Sequence, residues 1–127
     1  MARQLVETKR IVIVDDEPDF LRLMREYLVP AYDLVSLMNG EGILEELESL
    51  DPDLLILDVR LPGPDGFALC RSIRKIPRFA LLPILFLTSS SVDADFIRGL
   101  DSGGSSYMTK PVSRRRLLAR IAELTGG

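Results

Sequence analysis

Three uninterrupted apolar runs, Ile11–Val14, Leu54–Leu57 and Ile84–Leu87, each closed at once by a polar residue, constrain this chain more than any other feature. Continuous rather than alternating apolarity means that both faces of a sheet are covered, the habit of parallel sheets with helices on either side. Two mixed segments, 33–38 and 105–110, read as strands at the sheet edges. Between the strands lie helical stripes. Phe20, Leu23, Met24, Tyr27 and Leu28 recur at helical spacing, as do Ile43, Leu44, Leu47 and Leu50, then Leu69, Cys70, Ile73 and Ile76 before Pro77, and finally Leu117, Leu118, Ile121 and Ala122. A further helix is expected over 93–102, weakened by Gly99 in its interior.

Five strand–helix repeats with right-handed crossovers follow. The most apolar runs belong in the middle, which selects an α/β, (βα)5 doubly wound parallel sheet of order 2-1-3-4-5, flavodoxin-like, with its crevice at the carboxyl ends of the strands. A length of 127 residues suits one domain, 1–127, able to bury a core without disulfide or metal. Cys70 is the only cysteine, so no internal disulfide forms and a cytoplasmic setting is expected. No run spans a bilayer, and a net charge of −3 with no nucleic-acid motif argues against direct binding of nucleic acid. The chain has no histidine, which removes the commonest general base and the usual nucleophilic pairs. Carboxylates, hydroxyls and lysine must carry the chemistry.

The residues just past the strands share one rim: Asp15 and Asp16, Asp58, Thr88 and Lys110. Each alone reads as a helix cap. Together they do not, because three neighbouring carboxylates repel unless a cation sits among them. Hard oxygen donors suit Mg2+, which keeps room for phosphate oxygens, and Asp58 on the central strand is the candidate nucleophile for forming an acyl phosphate.

Asp15-Asp16, Leu54-Leu-Ile-Leu-Asp58 with Leu61-Pro-Gly-Pro-Asp-Gly66, Phe86-Leu-Thr88-Ser and Tyr107-Met-Thr-Lys110-Pro111 together resemble the receiver domain of bacterial two-component response regulators, over about residues 9–124. The resemblance implies a CheY-like phosphorelay protein for signal transduction. In it Asp58 is the phosphoacceptor, supplied by a sensor histidine kinase or phosphotransfer protein. Asp15, Asp16, Asp58 and the backbone carbonyl of Arg60 hold Mg2+. Thr88 and Lys110 bind phosphoryl oxygens, Tyr107 follows Thr88 as a switch, and the bond before Pro111 is cis. The resemblance places an effector or dimer partner on the face formed by the fourth helix, fifth strand and fifth helix. It implies a signalling domain, not an enzyme, catalysing only its own phosphorylation and slow dephosphorylation. Gly103-Gly-Ser-Ser106 and Val112 depart from the usual pattern without touching the site.

Two alternatives compete: a receiver-like interaction module that does not use phosphorylation, and an aspartyl-phosphate phosphohydrolase. The latter wants an acid two residues after the nucleophile, where this chain has Arg60. The Arg60 side chain is expected to be solvated; extended over the phosphoryl group instead, it would influence water access together with Ser90. The cations Arg71, Arg74, Lys75 and Arg78 read as a solvated helix face, Arg114–Arg116 with Arg120 as a face opposing a helix dipole and open to an acidic partner. Cys70, Met24 and Met38 read as core fillers.

Overall fold

The computed structural model describes residues 8–90, 92–93 and 106–126. Five parallel strands, β1 (Arg10–Val14), β2 (Asp33–Leu37), β3 (Leu54–Asp58), β4 (Ile84–Thr88) and β5 (Ser106–Thr109), form one sheet of order 2-1-3-4-5, as expected. The helices are α1 (Pro18–Leu28), α2 (Ile43–Leu50), α3 (Gly66–Arg74) and α4 (Arg114–Leu124). Of the helix expected over 93–102, only Asp93 falls among the described residues, with Val92 before it, and both are helical. No helix among the described residues is long and apolar enough to cross a membrane.

Alternation along each strand splits the core in two. Val12, Val14, Leu55, Leu57, Ile84 and Phe86 face α2 and α3, whereas Ile11, Ile13, Leu54, Ile56, Leu85 and Leu87 face α1 and α4. All five residues of β3 and of β4 are buried, the pattern that the continuous apolar runs require. The mixed strand β2 lies at an edge, where only Leu34 is buried.

Local chemistry sets the helix ends. Asp65 accepts a hydrogen bond from Ala68 N–H and Ser113 from Arg116 N–H, each satisfying a donor that the first helical turn leaves open. Pro18 stands where its missing N–H costs nothing. Helix α3 stops at Arg74, short of Ile76, and a single 3-10 turn, Pro77–Phe79, leads toward β4. Arg74 Nη1 crosses that turn to the carbonyls of Phe79 at 2.9 Å and Leu82 at 2.6 Å, and Arg78 Nη2 pairs with Asp51 at 3.1 Å. Two of the four cations expected merely to be solvated therefore fasten the approach to β4.

Cys70 and Met24 are buried as expected. Met38 is not a core filler: it is 48% exposed. It follows Leu37, the last residue of β2 paired with β1, so its side chain leaves the edge of the sheet after the ladder has ended. The Lys110–Pro111 bond is cis as expected, and Val29–Pro30 is also cis.

Candidate functional site

At the carboxyl edge, β1 delivers Asp15 and β3 delivers Asp58. Asp15 is fully buried and Asp58 is 5% exposed. Ile11, Ile13 and Asp15 share one parity, as do Leu54, Ile56 and Asp58, and parallel pairing of Ile13 with Ile56 aligns the two strands. Asp58 lies opposite Leu87 in the β3–β4 register, which puts Thr88 at its shoulder. The loop after β3 holds Asp58 closely: Arg60 N–H donates to Asp58 Oδ1 at 3.3 Å, and Gly66 N–H donates to the Val59 carbonyl at 2.9 Å. A Cβ on Gly66 would stand 2.4 Å from the Asp58 carbonyl oxygen, so this start of α3 admits only glycine.

Carboxylate oxygens of Asp15, Asp16, Glu17 and Asp58 all lie within 4.8 Å of one another. Lys110 enters this group from the end of β5, with Nζ 2.7 Å from Asp15 Oδ2, 3.0 Å from Glu17 Oε1 and 3.6 Å from Asp58 Oδ2. Its ammonium also sits 4.1 Å from the centre of the Phe20 ring, an aromatic face suited to a cation. Lys110 Nζ, Asp15 and Asp58 are thus a nearly dry triad spanning 95 residues of chain.

The ionisation follows from this geometry. Burial raises the Asp58 carboxyl to about 6, with Lys110 opposing and Asp15 reinforcing the rise. Burial likewise raises Asp15, against the hydrogen bonds it accepts from Lys110 and from Glu17 N–H. Burial alone would lower the Lys110 ammonium, but hydrogen bonds to Asp15 and Glu17 outweigh it and the group is raised. The cluster holds more negative charge than one lysine can offset, which is the condition for attracting a divalent cation.

On the other side of Asp58, Thr88 is fully buried. Its Oγ1 accepts from Ser90 N–H at 3.0 Å and lies 3.5 Å from Asp93 Oδ2. Asp93 in turn pairs with the Arg60 guanidinium through two contacts, 2.7 and 3.0 Å. The Arg60 side chain is 71% exposed, yet it is not a free solvated group, because a carboxylate that is only 10% exposed holds it. Tyr107, half-buried, pairs with Phe86 in register and packs against the α2–α3 side of the core, on the sheet face toward which Thr88 also points by alternation. Arg120 reaches back from α4 to the Tyr107 carbonyl at 3.1 Å and to Ser106 Oγ, and Arg114 donates to the Tyr27 carbonyl at 3.2 Å.

Asp15, Asp16, Asp58, Thr88 and Lys110 thus arrive at one rim, whereas Tyr107 lies further back along β5, opposite Phe86. Sequence reasoning missed two participants. Glu17 was legible as the third acid of the run Asp15-Asp16-Glu17; Asp93 had no signal, since nothing local ties it to Arg60 or Thr88. Gly103 and Gly104, part of the departure from the usual pattern, lie outside the described residues.

Comparison with known proteins agrees with this geometry. The family model of the response regulator receiver domain matches residues 11–122. The chain is 43% identical over 117 residues to the transcriptional regulatory protein GltR of Pseudomonas aeruginosa, covering 91% of this chain and 48% of that protein. To the transcriptional regulatory protein BaeR of Escherichia coli it is 40% identical, covering 90% and 47%. The chain spans about half the length of these curated relatives. Among solved structures, a putative response regulator from Chloroflexus aurantiacus superposes with a TM-score of 0.87 at 32% identity, covering 95% of this chain and all of that one. The receiver domain of the sensor histidine kinase PA1611 from Pseudomonas aeruginosa, solved with a magnesium ion coordinated in its active-site cleft, gives 0.85 at 25% identity, with 95% and 100% covered.

Proposed function

The chain belongs to the response regulator receiver domain family of two-component signalling, and from that premise we propose that Asp58 is its phosphoacceptor, working with Mg2+ held by its acidic neighbours. The observation that carries this reading is the meeting of four carboxylates within 4.8 Å beside a nearly buried Lys110. The donor set fits Mg2+: hard oxygens only, two of the carboxylates buried, and a like-charge crowding that a divalent ion relieves. Asp15, Asp16, Asp58 and the Arg60 backbone carbonyl would hold it, with Glu17 at the margin. Mg2+ bound there neutralises the charge of an anionic phosphoryl donor.

The chain's own groups do the rest. A carboxylate oxygen of Asp58 attacks phosphorus, the bond from phosphorus to the donor's imidazole nitrogen breaks, and its electron pair stays with the imidazole. Lys110 moves from Asp15 toward one phosphoryl oxygen, and the Thr88 hydroxyl donates to another. Tyr107, on the same sheet face, follows Thr88 and carries the event outward as a repacking. The donor is a phosphohistidine on a sensor histidine kinase or phosphotransfer protein. The output is an effector or second receiver on the face that includes β5 and α4. Self-catalysed phosphorylation and slow loss of phosphate complete the reading.

The test is incubation with acetyl phosphate and Mg2+ followed by intact-mass measurement. A single phosphate adduct is expected in the wild type and none in Asp58→Asn. An unmodified wild type, or an adduct that survives Asp58→Asn, overturns the assignment.

A further inference from the structure

The contact between Arg60 and Asp93 joins the loop after β3 to the segment after β4, across the mouth of the Asp58 site. Its partners are unlike. Arg60 is exposed and its backbone N–H is bonded to Asp58, whereas Asp93 is nearly buried and reaches the Thr88 hydroxyl as well. Asp93 N–H is itself fixed on Ser90 Oγ at 3.3 Å, and Ser90 N–H on Thr88 Oγ1, so one short segment ties carboxylate and hydroxyl together. Asp93 therefore holds the Arg60 cation, while the Thr88 hydroxyl stands 3.5 Å from both Asp93 Oδ2 and the Ser90 carbonyl.

A phosphoryl group on Asp58 would take the local charge from −1 to about −2 and add acceptor oxygens. It would compete with Asp93 for Arg60. Release is opposed, because a nearly buried carboxylate stripped of its guanidinium fork loses its charge compensation, while the exposed arginine loses little.

Resting on the reading of Asp58 as phosphoacceptor, we infer that Asp93 is a positioning residue, a latch that withholds Arg60 from the phosphoryl site until phosphorylation breaks it. Its removal frees a cation to stabilise the incoming phosphoryl group. The latch thus slows phosphate uptake, and it does so through Arg60. A bare charge effect of Asp93 on the anionic donor would act whether or not Arg60 were present.

The experiment compares initial rates of adduct formation from acetyl phosphate and Mg2+ in the wild type, Asp93→Asn, Arg60→Gln and the double variant. Asp93→Asn is expected to speed uptake about tenfold, the order of one charge-assisted hydrogen bond. In the Arg60→Gln background the same change is expected to give less than about twofold. Arg60→Lys, at an exposed side chain whose replacement leaves the core intact, keeps the charge but loses the fork, and is expected to speed uptake about threefold. This variant decides the matter independently if Asp93→Asn fails to fold. A wild type that takes up phosphate while Asp93→Asn and Arg60→Lys are no faster overturns the latch alone. A tenfold gain that persists without Arg60 also overturns it. A wild type that takes up no phosphate overturns the assignment of Asp58 and the latch with it.

Discussion

Replacing Asp58 by asparagine should make the metal-free protein more stable, not less, and only above a defined pH. Burial raises the Asp58 carboxyl from 3.8 to about 6, so the folded state binds its proton more tightly than the unfolded chain does. Stability from this group is complete below pH 3.8 and is lost as pH rises through about 6, the reverse of an ordinary salt-bridged aspartate. Converted at about 1.4 kcal/mol per tenfold change in proton affinity, the loss in place at pH 8 is about 3 kcal/mol. Asparagine keeps the shape and hydrogen-bonding of the protonated acid and carries no charge. Asp58→Asn should then exceed the wild type by up to about 3 kcal/mol at pH 8 and match it near pH 4. The contribution of Lys110, 3.6 Å away, is already contained in that net figure. Urea unfolding in a chelator at pH 4, 6 and 8 reads the difference directly, and added Mg2+ should close the gap at pH 8 by stabilising the wild type alone. A variant less stable than the wild type at pH 8, or a difference that does not change with pH, would refute the view that Asp58 is a charge held at the expense of the fold.

Three further outcomes follow from the packing and the buried charges. Gly66→Ala forces a methyl group to 2.4 Å from the Asp58 carbonyl oxygen, a backbone atom with no room to yield, so it should cost about 1–3 kcal/mol and lower phosphate uptake, seen by urea melts and intact mass. By contrast, Gly40→Ala meets the Leu69 side chain rather than backbone and should be the milder change. Lys110→Met leaves the fully buried Asp15 carboxylate without its cation and should destabilise the chelated protein by about 3 kcal/mol, with part of the loss recovered in Mg2+. Equal stability of this variant and the wild type in chelator would show that Asp15 does not depend on Lys110.

The elements themselves were readable from local pattern. The runs at 11–14, 54–57 and 84–87 became β1, β3 and β4 because continuous apolarity leaves no solvent face, and the mixed runs took the edges for the opposite reason. The rim set Asp15, Asp16, Asp58, Thr88 and Lys110 was readable for a related cause: a parallel sheet turns residues just past its strands toward one edge, so strand order implies proximity. Met38 escaped this reasoning because hydrophobicity reports a tendency to be buried, whereas burial depends on where the ladder with β1 ends. The pairing of Arg60 with Asp93 escaped it because the two stand 33 residues apart and belong to connecting segments, where no periodicity operates.

Periodicity and punctuation in the chain thus dictated which segments are strands, in what order they lie and which polar residues gather, since these depend on neighbours a few residues away and on excluding apolar groups from water. Tertiary structure alone decided which of the gathered charges touch. Lys110 is shared among Asp15, Glu17 and Asp58, and Asp93 closes on Arg60, because each buried charge takes the compensating partner that the folded loops bring within hydrogen-bonding distance.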